Sequence, residues 1–322
     1  MKDTLDFSPC LLCPRRCGAD RAAGQGAYCG ETVELRIASA SIHRGEEPAL
    51  TGDGGSGTVF ITGCNLGCVF CQNYQISRQG MGRAVKTEEF AAIALRLQEL
   101  GAENINIVTG SHAVPAIAAG IDAARGSAGQ GGKRLDIPVL WNSSAYESLE
   151  ALEVLKDRVD VYLPDLKTLD AGISARFFNT PAYGETAAAA ILRMMEYRPL
   201  RYKRSGGILE SGVIVRHLAL PGYLGSTRGV LGWFAENCRG RALLSLMTQY
   251  SPVRPAGEGT PGRFLNEEEY DTLIRWLEEF GIDDGFCQEL AGGDEWLPDF
   301  RRENPFSSDL SLPVWHWRFG FI

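Results

Sequence analysis

The chain alternates short β-branched apolar runs with segments of helical periodicity, and this alternation constrains its fold more than any other feature. Six apolar runs of this kind occur at 58–62, 104–109, 137–142, 159–167, 212–222 and 242–250. Strands that read as continuous apolar runs and alternate with helices form parallel sheets with helices on the outside. Because a closed barrel of this type needs eight units, the pattern predicts an α/β fold with a partial (βα)6 TIM-like barrel. A doubly wound open sheet is the alternative.

The chain is predicted to have three parts. A cysteine-rich extension that binds a metal or a cluster occupies residues 1–57, the partial barrel occupies residues 58–282, and a C-terminal tail that caps an apolar face occupies residues 283–322. No apolar run approaches the roughly 20 residues of a membrane span, and the first residues do not resemble a secretory signal. We therefore expect a cytoplasmic protein that does not bind membranes. The net charge of −8 also argues against nucleic acid as a partner.

A loop with three cysteines follows the first predicted strand at once. It reads "GCNLGCVFCQN" and contains Cys64, Cys68 and Cys71. Thiols in the cytoplasm stay reduced, so clustered cysteines there indicate metal ligands rather than disulfides. A structural zinc site takes four ligands, whereas a 4Fe-4S cluster held by three thiolates leaves one iron open to a substrate or cofactor. The spacing therefore favours an iron–sulfur cluster, with a structural zinc loop as the alternative.

With this loop in its strand context, the sequence resembles the radical S-adenosylmethionine (SAM) superfamily, and more narrowly the proteins related to pyruvate formate-lyase activating enzyme. The matching stretches run from about Cys10 to Tyr250 and include "GTVFITGCNLGCVFCQN", "VDVYLPDLK" and "VIVRHLALPG". The resemblance implies that the three cysteines hold a 4Fe-4S cluster whose fourth iron is chelated by SAM. It implies that the reduced cluster cleaves SAM and that the resulting 5′-deoxyadenosyl radical abstracts a hydrogen atom from a substrate. It also implies a reductant such as flavodoxin or ferredoxin.

The same resemblance places several side chains near SAM. Phe70, between the last two cysteines, lies near the adenine or only packs the loop. Asp165 and Lys167 end the fourth predicted strand on one face, where they contact SAM or form a salt bridge at the rim. Asn142 ends the third strand and either binds the ribose or carboxylate of SAM or caps a turn.

At two further strand ends, the resemblance does not directly identify the residue that contacts SAM. Arg216 and His217 are adjacent in the fifth strand, so only one of them faces the interior, and the resemblance favours His217. A buried structural histidine is the alternative. The second strand departs from the family, which has a Gly-Gly-Glu type motif for the amino group of SAM. Here the sequence reads "VTGSH", and Thr109, Ser111 or backbone carbonyls substitute for the acid; His112 either substitutes or serves the substrate.

The extension carries four further cysteines, which are enough to close a site. They are Cys10, Cys13, Cys17 and Cys29. The sequence predicts either an auxiliary 4Fe-4S cluster, which relays electrons or engages the substrate, or a structural zinc. Unmetallated thiols are the remaining alternative. Cys238 and Cys287 stand alone and are expected to be buried as small apolar residues.

The sequence therefore predicts a radical SAM oxidoreductase similar to pyruvate formate-lyase activating enzyme, with three hypotheses for its role. In the first, it abstracts a glycine hydrogen from a glycyl radical enzyme and so activates that partner. In the second, it modifies a small molecule or a peptide. In the third, it is an iron–sulfur electron carrier or a zinc scaffold without catalysis, and it does not cleave SAM. Family analogy alone is a weak argument for any one substrate.

Overall fold

The computed structural model describes residues 7–126, 132–204, 206–253, 259–293, 297–306 and 309–322. Within these ranges the chain forms twelve strands and nine helices. The strands are β1 (Arg36–His43), β2 (Ser56–Ile61), β3 (Arg83–Ala84), β4 (Ile105–Val108), β5 (Val139–Ser143), β6 (Val161–Pro164), β7 (Arg201–Tyr202), β8 (Leu209–Leu218), β9 (Leu243–Met247), β10 (Gly285–Cys287), β11 (Ser311–His316) and β12 (Gly320–Phe321). The helices are α1 (Pro48–Thr51), α2 (Tyr74–Ser77), α3 (Thr87–Glu99), α4 (Val114–Arg125), α5 (Leu149–Leu155), α6 (Ala171–Phe178), α7 (Tyr183–Tyr197), α8 (Leu224–Asn237) and α9 (Glu267–Glu279).

The predicted parallel sheet is confirmed. Strands β2, β4, β5, β6, β8 and β9 correspond to the six apolar runs, and they pair in parallel in the order in which the chain forms them. Helices connect them, as parallel pairing requires. In the described ranges the sheet is not closed, since its spatial order ends at β10 on one side and at β12 on the other. The fold is therefore an open α/β arrangement, as the sequence predicts.

The sheet extends beyond the six predicted strands on both sides. The short strand β10 pairs in parallel with β9. Cys287, in β10, is exposed, so the expectation that both lone cysteines are buried is wrong for Cys287 and confirmed for Cys238. A three-residue edge strand has no apolar pattern long enough to predict it from sequence.

Antiparallel strands complete the other side of the sheet. Strand β1 lies between β2 and β11 and pairs with both in antiparallel orientation. The segment before residue 58 and the segment after residue 283 thus contribute strands to one sheet, while the domain boundaries themselves stay a prediction. In the described part of the chain, no helix is both long and apolar enough to cross a membrane.

The two faces of the sheet carry different side chains. Outward-facing residues such as Val59, Ile107 and Trp141 join the helices in the main core. The inner face has a separate apolar layer at the amino ends of the strands, in which Leu140, Val161, Leu163 and Ile214 pack against Leu50 and Ala49 of α1. Alternation along the strands then puts the next inner positions closer to the carboxyl ends, and there the side chains are polar. The fold therefore separates an apolar base from a polar rim.

Candidate active site

The three-cysteine loop leaves the carboxyl end of β2 and is shaped by two glycines. Gly63 and Gly67 flank Cys64, and both have a positive φ, of +87° and +73°. A Cβ atom on Gly63 would lie 2.5 Å from Glu31 Cγ, and one on Gly67 would lie inside the Arg78 guanidinium. Because only glycine adopts this backbone without strain and leaves this space, the glycines of "GCNLGC" fix the path of the loop.

The three thiols of this loop are free and close to one another. Cys64 is buried, and Cys68 and Cys71 are half-buried. Burial raises the pKa of the Cys68 thiol well above its usual range, Lys167 opposes this, and the Cys71 and Cys64 thiols add to it. Two hydrogen bonds point at sulfur: the backbone N–H of Leu66 donates to Cys64 Sγ and the Ser77 hydroxyl donates to Cys71 Sγ, each at 3.4 Å.

The donor set of this loop is of the kind that iron–sulfur clusters use. Among the described residues, no group of three or more histidine, cysteine or carboxylate side chains is arranged to hold one metal ion. Soft thiolates with N–H and O–H donors aimed at sulfur are the ligands and outer contacts of iron–sulfur clusters.

A polar network faces the loop from the inner side of the sheet. Lys167 Nζ donates to Asp165 Oδ2 at 2.8 Å, and Arg216 Nε donates to Asp165 Oδ1 at 2.9 Å. Arg216 also donates to Asn142 Oδ1 at 2.8 Å and to Glu46 Oε2 at 3.1 Å. The structure therefore brings Asn142 together with the predicted pair of Asp165 and Lys167. Arg216 joins them, since it donates to both Asn142 and Asp165.

The charges of this network are fixed by its internal pairing. Burial alone would raise the pKa of Asp165, but Lys167 and Arg216 outweigh burial and lower it. Burial alone would lower the pKa of Lys167, but Asp165 and then the Cys68 thiol raise it above its usual range. Lys167 is therefore a half-buried ammonium between a carboxylate and a cysteine of the loop. The site offers cationic and anionic groups beside the thiols, which suits a zwitterionic ligand.

Arg216, rather than His217, is the member of the adjacent pair that reaches this network. The two ring nitrogens of His217 face protein atoms: Nδ1 lies 2.7 Å from the Leu166 carbonyl, and Nε2 lies 3.0 Å from Thr227 Oγ1. The buried structural histidine, which the sequence left as the alternative, describes these contacts. A contact between His217 and SAM stays a prediction.

Phe70 lies in an aromatic cluster behind the loop. Its ring packs edge-on against Phe177, Phe178 and Tyr250, with centroid distances of 5.6, 6.0 and 6.4 Å. These contacts fix the loop against α6 and the end of β9, and they correspond to the packing alternative. An adenine contact for Phe70 stays a prediction.

The departure at "VTGSH" is accompanied by a carboxylate from elsewhere in the chain. Ser111 Oγ donates to Glu147 Oε1 at 2.6 Å, and the Trp141 indole donates to the same oxygen at 3.0 Å. Burial raises the pKa of Glu147. His112 turns the other way and places Nε2 2.8 Å from the Thr62 carbonyl, next to the cysteine loop. Sequence reasoning missed Glu147 because its partners lie in two other segments.

The four thiols of the extension also form one group. Cys10, Cys13 and Cys29 are buried, and Cys17 is exposed. Burial raises the pKa of Cys13 to about 12, and the neighbouring Cys29 and Cys10 thiols add to this. Burial raises the pKa of Cys29 to about 11, with a smaller contribution from Cys10. These mutual effects place Cys10, Cys13 and Cys29 close together, as a shared site requires.

A cleft is lined on one side by Gln72, the residue that follows Cys71 in the chain. Its volume is about 460 Å³. It lies between the segment after Cys71 and the loops that follow β9 and precede β11, with Gln72, Gln75, Val253, Phe264 and Asp299 among the residues of its wall. Ligand pockets of about 300–1,000 Å³ are typical of small-molecule sites.

A family model described as the Radical SAM superfamily matches residues 58–199. Residues 58–199 form a radical SAM domain. The matched range contains the cysteine loop and also Asn142, Asp165 and Lys167, and it ends before Arg216. The radical SAM domain implies a 4Fe-4S cluster and SAM as cofactors, and the three thiols of the loop fit the first of these.

Three further proteins are similar to the chain. An uncharacterized protein of Methanocaldococcus jannaschii, MJ0674, is 28% identical over 288 residues, which is 86% of this chain and 76% of that protein. SuiB from Streptococcus suis, in a structure bound to S-adenosylmethionine, has a TM-score of 0.49 and 12% identity over 70% of this chain and 48% of SuiB, so the chain spans about half of that structure. A domain of pyruvate-formate lyase-activating enzyme from Bacteroides vulgatus has a TM-score of 0.35 and 15% identity, over 48% of this chain and 82% of that domain.

Proposed function

We propose that the protein is a radical SAM oxidoreductase that binds a 4Fe-4S cluster through Cys64, Cys68 and Cys71 and removes a hydrogen atom from a substrate. One observation carries the proposal: two thiols of the loop, Cys68 and Cys71, lie within electrostatic range of the half-buried ammonium of Lys167, which is paired with Asp165. When bound, the cluster and SAM supply the reductive cleavage that yields methionine and a 5′-deoxyadenosyl radical. A one-electron reductant such as flavodoxin or ferredoxin is part of the proposal.

The chain's own residues bind and orient the polar end of SAM. Lys167 and Arg216 supply positive charge, and Asp165 supplies negative charge, for a ligand that carries an ammonium, a carboxylate and a sulfonium. Asn142 adds an amide that already pairs with Arg216. Because their partners hold these side chains in place before SAM arrives, little side-chain order has to be gained on binding.

The substrate is proposed to enter through the cleft beside Cys71. The first candidate is a glycine-containing segment of a glycyl radical enzyme, by analogy with pyruvate formate-lyase activating enzyme. The second candidate is a small molecule or a free peptide. The volume of about 460 Å³ supports this second candidate, since it suits a small ligand or a few residues of chain.

The proposal is tested by an assay for 5′-deoxyadenosine. The protein is reconstituted anaerobically with iron and sulfide, reduced with dithionite and mixed with SAM. We expect product from the wild type and from Cys287→Ala, whose thiol is exposed on β10, but none from Cys68→Ala. Absence of product from wild-type protein with full cluster occupancy, both alone and with a candidate substrate, would overturn it and favour an electron carrier.

A further inference from the structure

The cysteine-rich extension is built directly onto the three-cysteine loop. The Arg15 side chain, between Cys13 and Cys17, donates from Nε to the Asn65 carbonyl and from Nη2 to the Leu66 carbonyl, both at 2.9 Å. The backbone N–H of Cys64 donates to the Cys29 carbonyl at 3.3 Å. Cys29 of the extension and Cys64 of the loop are thus in direct contact through their backbones.

From this placement we infer that Cys10, Cys13, Cys17 and Cys29 bind a second 4Fe-4S cluster, which passes single electrons from the surface to the cluster of the loop. The inference rests on the proposed function for the identity of the acceptor. The assignment of the second cluster itself rests on the residues of the extension alone.

The charge around the extension suits an iron–sulfur cluster. Arg21 is 2% exposed and donates from Nη1 toward Cys10 Sγ at 3.7 Å. Among the described residues, its other hydrogen bonds go to the carbonyls of Thr32 and His112 rather than to a carboxylate, although its charge also reaches the buried Glu31. A buried guanidinium held in this way offsets the negative charge that four thiolates bring to a cluster.

The spacing of the extension also resembles that of the loop. Cys10-x2-Cys13-x3-Cys17 puts three thiols into eight residues, and the loop does the same with the order of the gaps reversed. Short runs of this kind are typical of iron–sulfur ligation, with the fourth cysteine elsewhere in the chain. Zinc sites with four cysteines usually combine two pairs that are each close in sequence, and here no second cysteine lies near Cys29 in the sequence.

The position of the four thiols supports a relay. Cys17 is exposed, whereas Cys29 is buried against the loop, so the group spans from the surface to Cys64. The four thiols of the extension would hold a cluster that takes one electron from a flavodoxin or ferredoxin docked at Cys17. The same electron would then go to the cluster held by Cys64, Cys68 and Cys71, which would leave the extension cluster in its starting oxidation state. No bond forms or breaks in this transfer, and one electron is lost and gained at each step.

Metal content tests the second cluster without reference to activity. The full chain is reconstituted anaerobically with iron, sulfide and zinc together, in parallel with Cys10→Ala/Cys13→Ala, with Cys64→Ala/Cys68→Ala/Cys71→Ala and with Cys287→Ala as the control. We expect about eight iron atoms in the wild type and the control, and about four in each of the other variants. Zinc in place of iron in the triple variant, or neither metal, would overturn the inference. Cys17→Ser, at an exposed position, replaces the double variant if that variant does not fold.

Proximity and electron transfer are tested by electron paramagnetic resonance. Reduced wild-type protein is expected to have a signal that is broadened by the interaction of two clusters. The double and the triple cysteine variants, which each retain one cluster, are expected to have an unbroadened signal. Reduction of the loop cluster by reduced flavodoxin is expected to be about tenfold slower or more in Cys17→Ser than in Cys287→Ala. Unbroadened signals or equal rates would overturn the relay. If SAM is not cleaved while iron content and broadening are as expected, the proposed function fails and the second cluster stands.

Discussion

The two thiol groups of this chain differ in what surrounds them. The loop of Cys64 lies at the carboxyl end of a parallel strand and faces the paired Asp165 and Lys167. The group of Cys10 lies off the sheet, and the buried Arg21 donates toward Cys10 Sγ and to the His112 carbonyl. Three thiols leave one iron of a 4Fe-4S cluster open to a cofactor, whereas four thiols complete the ligand set of such a cluster. The comparison indicates that an open and a closed site are distinguished by their neighbours as well as by their ligand count.

The largest expected difference between the groups is in SAM cleavage driven by dithionite. Cys68→Ala removes a ligand of the open site, so we expect 5′-deoxyadenosine to fall to background. Cys17→Ser changes only the closed site, and a small chemical reductant bypasses a relay, so we expect it to retain about a tenth or more of wild-type product. Equal loss in both variants would mean that the two groups form a single functional site.

A large stability effect is expected in the network beside the open site. Asp165→Ala leaves the largely buried Lys167 and Arg216 without their shared carboxylate, which should cost about 3 kcal/mol of unfolding free energy. Asp136→Ala is the control, since its pair with Arg134 is exposed and should be worth less than about 1 kcal/mol. Urea titration of both variants measures the difference. Similar losses in the two variants would contradict the buried network.

Each region also contains a buried neutral histidine, and both are expected to make the fold sensitive to acid. Burial lowers the pKa of His217 and of His112 from 6.5 to about 4. Above pH 6.5 each is neutral in the folded and unfolded chain; below it, only the unfolded chain gains the proton, so stability falls as pH approaches 4. We expect each histidine to lower the unfolding free energy by about 2 kcal/mol between pH 6.5 and pH 5.

His217→Gln separates this structural role from a cofactor role. Urea titrations at pH 7.5 and pH 5.0 should give a smaller acid loss than in the wild type, because one titrating group is gone. SAM affinity, measured by calorimetry on reconstituted protein, should not change. A tenfold weaker affinity at unchanged stability would instead place His217 at the cofactor.

The smallest expected effect concerns Arg15, whose hydrogen bonds hold the extension against the three-cysteine loop. Arg15→Gln removes hydrogen bonds to the Asn65 and Leu66 carbonyls and should lower the unfolding free energy by about 1–2 kcal/mol. Arg16→Gln, at the exposed neighbouring position, should change it by less than about 0.5 kcal/mol. Thermal unfolding of both variants distinguishes them, and equal midpoints would mean that the extension is not held by Arg15.

The parallel sheet and the candidate ligands were predictable from the amino-acid sequence alone. A continuous apolar run of strand length indicates a strand that is buried on both faces, and this pattern is local in the sequence. The sequence therefore predicts the six parallel strands β2, β4, β5, β6, β8 and β9. The three-cysteine spacing is equally local, as is the shared face of Asp165 and Lys167.

Which of these residues contact one another depends on the tertiary structure. Strand β11 pairs with β1 across more than 250 residues of chain, and Glu147 reaches Ser111 from another loop. Alternation limits Arg216 and His217 to opposite faces but does not say which face is the inner one. The contact between Cys29 and Cys64 likewise depends on how the extension folds back. Such pairings arise from the path of the whole chain, because the free energy of a long-range contact depends on every element that brings its two ends together.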